Sequence, residues 1–225
     1  MELDTPAVVK IPSAKSRVEA LDLLRLVAVL SVVLFHFGFN GPTAADQTWV
    51  ALPQLGPFAK YGYLGVQLFF AISGFVISFS AQGRTVSQFF AARIARLYPA
   101  FLFCMTLSSL VIWIFGAPQF DVSLRQWAAN LAMVAPALHQ PYIDSVYWTL
   151  ITEMIFYTWI GLFVAMRRFP SDIETIVVAW LSISVINEAW FGYYPIRKIF
   201  LTDQSGFFAC GMLLFEIKRQ PRRGM

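Results

Sequence analysis

Five runs of about 20 mostly apolar residues recur along this chain, and each is long enough to cross the hydrocarbon core of a bilayer as a helix. They are Leu21 to Phe39, Tyr61 to Ala81, Leu97 to Phe115, Val146 to Met166 and Ile173 to Phe191. A sixth, Ile199 to Ile217, is weaker because Asp203 and Glu216 sit near its ends. Composition points the same way: 58% of the 225 residues are hydrophobic and only 13% are charged, against about 25% charged in an average soluble domain. So few charges cannot cover a soluble surface, and the excess apolar area must face lipid. Lipid offers the backbone no hydrogen-bond partner, so each span has to satisfy its own peptide groups as a helix. The expected fold is all-α, a polytopic integral membrane bundle of about six transmembrane helices, with residues 1–20 as a polar leader and 21–225 as one transmembrane domain. The first run lacks a small-residue cleavage site and is too long for a signal peptide, so it is expected to stay as a helix. Gln126 to Leu138 is apolar but short and interrupted by Pro136, which reads as interfacial or re-entrant.

Lys and Arg gather in the cytoplasmic loops of membrane proteins. With the N-terminus inside, six spans place Lys10, Lys15, Arg17, Arg84, Arg93, Arg96, Arg167, Arg168, Lys218, Arg219, Arg222 and Arg223 in the cytoplasm. Only Lys60, Arg125, Arg197 and Lys198 then lie outside. Counting Gln126 to Leu138 as a further span would send Arg167, Arg168 and the basic C-terminus outside, so the same rule rejects it. The net charge of +4 is thus a topology signal rather than a nucleic-acid footprint, and no nucleic-acid partner is expected. Cys104 and Cys210 each sit in an apolar run. They form no disulfide framework and no metal-ligand spacing, and no metal is expected.

Ionisable groups inside spans cost at least ~2.5–3.5 kcal/mol on insertion scales, so each needs a reason. Arg25 and His36 stand eleven positions apart on the first span, and at about 100° per residue they return to one face within about 20°. They lie about 16 Å apart along the axis, which suits a path through the bilayer. Arg25 alone could instead snorkel to the headgroups or pair with Asp22, and His36 could be polar glue between helices. Glu153 enters its span from the outer side at a depth that matches His36. A carboxylate there would orient the imidazole and favour a general-base role; the alternative is a protonated Glu153 bonded to backbone. Tyr147, Trp148, Tyr157 and Trp159 read as an interfacial aromatic belt.

In the second span, Gly62, Gly65, Ser73 and Gly74 are small residues that let helices approach closely. Ser73 has no base near it in sequence, and packing is the simpler explanation. Beyond this span Arg93 and Arg96 share a helix face at i,i+3 just before Tyr98 and Pro99. Two guanidiniums so placed could clamp phosphates bidentately, or serve only as topology signals.

Taken together these segments resemble the acyltransferase-3 family of integral membrane proteins. Arg25 and His36, with ten residues between them, resemble the first-helix Arg and His motif of that family. Gly62 to Ile77 resembles its second-helix signature ending in Ser73, Gly74 and Phe75, with Gly65 within it. Arg93 and Arg96 resemble its Arg-x-x-Arg pair ahead of a Tyr-Pro, and Trp148 through Glu153 to Tyr157 resembles its Trp-Ser-Leu, Glu, Phe-Tyr signature. The chain departs at Leu23 and Leu26, where glycine is common, at Gln67, where Asp is frequent, and at Thr149, where the family has Ser.

The resemblance implies transfer of an acyl group, most often acetyl, from cytoplasmic acyl-CoA to an extracytoplasmic glycan or lipid-linked saccharide. It also implies the inner membrane of a bacterium. Arg93 and Arg96, with Arg25, would hold the CoA phosphates; His36, oriented by Glu153, would act as base or carry the acyl group. About ten helices are implied and six are found, so the C-terminal four spans are expected to be missing. Two other readings stay open: a transport or scaffold protein that uses the polar face of the first span, and an inactive truncated relative. The acceptor, the acyl chain and the oligomeric state are not legible.

Overall fold

The computed structural model describes residues 14–40, 54–116 and 120–220, which are mostly helical, with no strand among the described residues. In chain order they are α1 (Ala14–Phe35), α2 (Gly56–Ala59), α3 (Leu64–Ala81), α4 (Val86–Phe115), α5 (Leu124–Leu131), α6 (Tyr147–Ala165), α7 (Ile173–Ile186), α8 (Tyr194–Ile199) and α9 (Ser205–Arg219). One π-helical turn, His36–Asn40, extends α1, and another, Asn187–Phe191, extends α7. Among the described residues, five segments are long and apolar enough to cross a membrane: Ala20–Phe39, Gly56–Ala81, Val86–Phe115, Tyr147–Ala165 and Ile173–Phe191. They correspond to the five strong apolar runs. The weaker sixth run is divided by a turn between α8 and α9, and the 15 residues of α9 extend only about 22 Å, short of a full span. The first 13 residues of the expected leader lie outside the described residues, and α1 already begins at Ala14.

One boundary differs from the sequence expectation in a way that bears on the site. The third span was expected to start at Leu97, leaving Arg93 and Arg96 ahead of it, yet α4 starts at Val86 and contains both. Thr85 caps it: its hydroxyl accepts from the Gln88 backbone N–H and the Gln88 side chain accepts from the Thr85 N–H. Such a reciprocal box satisfies two of the orphan donors of the first turn and nucleates the helix well upstream of the apolar run. The 30 residues of α4 measure about 45 Å, more than the ~30 Å hydrocarbon core, so one helix holds both the span and its charged approach.

The segment expected to be interfacial or re-entrant forms α5, eight residues capped by Ser123. That is too short to cross a bilayer. Asn130 at its end is buried and pins the following loop: its Nδ2 donates to the carbonyls of Gln126 (2.9 Å) and Pro141 (3.0 Å), and its Oδ1 accepts from the Ile143 N–H (3.3 Å). Asn130→Ala would remove these three hydrogen bonds from a buried side chain and is expected to cost about 2–3 kcal/mol. Thermal unfolding in detergent checks this, and an unchanged midpoint would show that water replaces the side chain.

The chain divides into two compact units, residues 1–72 and 73–225, with the boundary inside α3. In the first unit, a Cβ on Gly65 would fall within van der Waals distance of the Ala28 carbonyl, so only a residue without one lets α3 lie this close to α1. In the second unit α4 packs on α6 and α5, and α9 packs on α7. Phe156 of α6 stacks on Phe208 of α9 (centroids 4.1 Å apart), and Trp180 of α7 stacks against Phe156 at 5.9 Å. Gly74 is the second close approach: a Cβ there would collide with the Phe208 backbone. Gly74→Val is therefore expected to cut the yield of folded protein severalfold, read by size-exclusion of the detergent-extracted chain. A wild-type profile would show that α3 and α9 have room to part.

Candidate functional site

In the first unit, His36 stands where α1 passes into its π-helical turn, a widening of the helix often found at functional positions. The imidazole is half-buried and meets Phe35 edge-on, centroids 5.4 Å apart. Among the described residues no hydrogen bond to the ring is present, and an imidazole can both donate and accept. Arg25 is committed elsewhere: its Nη1 donates to Asp22 Oδ1 at 3.1 Å, the pairing that the i,i+3 spacing allowed. Gln67, at the position where Asp is frequent in the resembled family, has its Oε1 buried without a partner among the described residues.

In the second unit the main finding is a contact between residues 80 apart in sequence. Ser73 Oγ of α3 donates to Glu153 Oε1 of α6 at 2.9 Å. Glu153 therefore has a hydroxyl partner on another helix, which sequence proximity could not reveal. Tyr157 stands one turn further along α6, and it and Arg93 of α4 lie within electrostatic range of this carboxyl group. Tyr157 and Tyr147 are buried, the former edge-on to Phe89 and the latter against Phe101 and Met105. This corrects the belt expectation for those two rings. They occupy the face of α6 that α4 covers, whereas Trp148 on the same helix is exposed.

Arg93 and Arg96 do not form a matched pair. Arg93 is only 8% exposed, and its Nε has no hydrogen-bond partner among the described residues, whereas Arg96 is exposed. An unpartnered donor on a buried guanidinium is costly, and it sits beside the Ser73–Glu153 bond. The remaining second-helix residues pack: Phe75 meets Phe215 edge-on at 6.3 Å and carries the Lys218 ammonium 5.2 Å over its face. What α3, α4 and α6 assemble is a small polar centre among apolar helices, with a carboxylate, two hydroxyls and a cation. Such a centre can orient a proton acceptor and bind a carbonyl or anionic oxygen.

Residues 18–225 match the family described as an acyltransferase domain. The chain is similar to an O-acetyl transferase of Shigella phage Sf6, 27% identical over 87% of this chain and 62% of that protein. It is 28% identical to the acyltransferase MdmB of Streptomyces mycarofaciens over 72% of this chain and 41% of that protein. It is 24% identical to the peptidoglycan O-acetyltransferase OatA of Listeria monocytogenes over 86% of this chain and 33% of that protein. The chain thus spans less than two thirds of the length of each of these relatives. No solved structure matches. With the polar centre set among membrane-length helices and a match that runs from residue 18 to residue 225, the chain belongs to the acyltransferase-3 family of integral membrane proteins.

Proposed function

We propose that this chain transfers an acyl group, acetyl in the first instance, from cytoplasmic acyl-CoA to a hydroxyl of an extracytoplasmic glycan or lipid-linked saccharide. The observation that carries the proposal is Arg93, buried beside Glu153 and Tyr157 with its Nε unpartnered, because a donor left open among apolar helices calls for an acceptor that arrives with the substrate. Relatives named as O-acetyl transferases support acetyl as the group and a glycan as its acceptor. Ahead of the fifth span, Lys10, Lys15, Arg17, Arg84, Arg167 and Arg168 on the side of the N-terminus against Lys60 and Arg125 on the other support a cytoplasmic N-terminus, and the family supports a bacterial inner membrane.

In this scheme Arg93 and Arg96 hold the phosphates of CoA, and Arg25 joins them on release from Asp22. His36 takes the proton of the acceptor hydroxyl as its oxygen attacks the thioester carbonyl. The C–O bond forms, the C–S bond breaks, and the proton passes from the imidazolium to the CoA thiolate. In the variant with a covalent intermediate, His36 itself receives the acyl group and then yields it to the acceptor. The resemblance assigns Glu153 to the same reaction, as the carboxylate that would favour a charged imidazole. The test is transfer of labelled acetyl from acetyl-CoA into extracytoplasmic glycan by membranes that carry the full chain, with His36→Ala as control. Label that depends on His36 supports the proposal. No label, from a chain that is inserted and folded, overturns it.

A further inference from the structure

Hydroxyl side chains in these helices have a default partner. Ser31, Ser78, Ser109, Thr152, Thr158 and Ser184 each donate to the carbonyl four residues earlier in their own helix. That is the ordinary way an intramembrane hydroxyl satisfies itself without leaving its helix. Ser73 does otherwise: it forgoes the carbonyl of Phe69 and reaches across to Glu153 Oε1 at 2.9 Å. The neighbouring Gly74 packs against another helix, lying directly on the backbone of α9.

We infer that Ser73 is a positioning residue for the acyl-transfer reaction, acting through Glu153. This inference rests on the functional reading above, in which the Glu153 carboxylate takes part. A carboxylate on a flexible two-torsion stem loses rotamer freedom only if something holds it. The Ser73 O–H fixes one oxygen of the carboxylate from the α3 side. The groups that face the same carboxylate from other positions are Tyr157, one turn along α6, and Arg93 from α4, with Arg96 further out. Tyr157 and Arg93 are anchored by packing, Tyr157 against Phe89 and Arg93 by burial. Ser73 thus holds this carboxyl group from another helix by a direct hydrogen bond, in a place shielded from water where such a bond is not exchanged for solvent.

The expected result is a specific pattern rather than simple loss. Ser73→Ala lowers kcat about tenfold to a hundredfold and leaves KM for acetyl-CoA near the wild-type value. Ser73→Thr, which keeps the hydroxyl, restores most of the rate. In a Glu153→Gln background, Ser73→Ala costs nothing further, because a residue that acts through another has no separate effect once the other is gone. An additive loss in the double variant, or no rescue by threonine, overturns the positioning role and leaves Ser73 as packing. The bond itself is read without activity, by infrared spectroscopy of the purified full chain. The band lost in Glu153→Gln is that of Glu153; it shifts in Ser73→Ala and returns in Ser73→Thr. An unshifted band overturns the inference at its root. A shifted band in a wild-type chain that transfers no acyl group overturns the functional reading, and the catalytic part of this inference with it, while the bond stands.

Discussion

Replacing His36 by alanine is expected to lower acetyl transfer by about 10²–10⁴-fold, the usual contribution of a positioned general base, with little effect on insertion or folding. The expectation comes from the state of the ring. His36 is half-buried, held edge-on by Phe35, and without a hydrogen-bond partner among the described residues. The position adds a second reason, since the helix widens to a π turn from His36 onward. The assay separates base from carrier as well. If His36 carries the acyl group, wild-type chain incubated with labelled acetyl-CoA and no acceptor retains label that maps to His36. If it is a base, no label accumulates on protein, while transfer to acceptor still depends on it. Full activity in His36→Ala would remove this residue from the reaction.

The spans were legible because lipid imposes a length and an apolar composition that few other environments require, and all five strong runs appear as membrane-length helices. The start of α4 lies upstream of its apolar run, where Thr85 and Gln88 stand at capping-box spacing; hydropathy marks only the lipid-facing part, and a capped helix carries its charges past the lipid boundary. The sixth run was weakened by Asp203 in the sequence, and the turn that divides it falls at that residue, between α8 and α9. Tyr147 and Tyr157 were misread because aromatic type alone cannot say which side of a helix faces protein. Tyr157 follows Glu153 by four residues and so shares its face, a spacing that was visible. The Ser73–Glu153 bond was beyond any local pattern: its partners lie on helices 80 residues apart, and only packing joins them.

The two arginines of α4 are expected to behave unequally, which a pair read from sequence as a symmetric clamp would not. Arg93 is buried with an unpartnered Nε, and Arg96 is exposed. Hydrogen bonds to a charged group in a shielded site contribute about 1.5–3 kcal/mol, so Arg93→Ala should weaken acetyl-CoA binding about 10- to 100-fold. An exposed charge contributes about 0–1 kcal/mol, so Arg96→Ala should weaken it no more than about fivefold. Arg93→Lys should restore only part of the loss, because an ammonium cannot reproduce the planar fork of donors. Salt provides an independent check. Binding by wild type falls as ionic strength rises, and in the double variant that dependence flattens, since the exposed Arg96 supplies most of the screenable attraction. Calorimetric titration of acetyl-CoA into the full chain in detergent measures all four quantities. Equal losses at the two positions would mean that the buried guanidinium does not meet the ligand and serves only Glu153 and Tyr157. Unchanged binding in the double variant would leave both arginines as determinants of topology, and the phosphates of CoA would have to be held elsewhere.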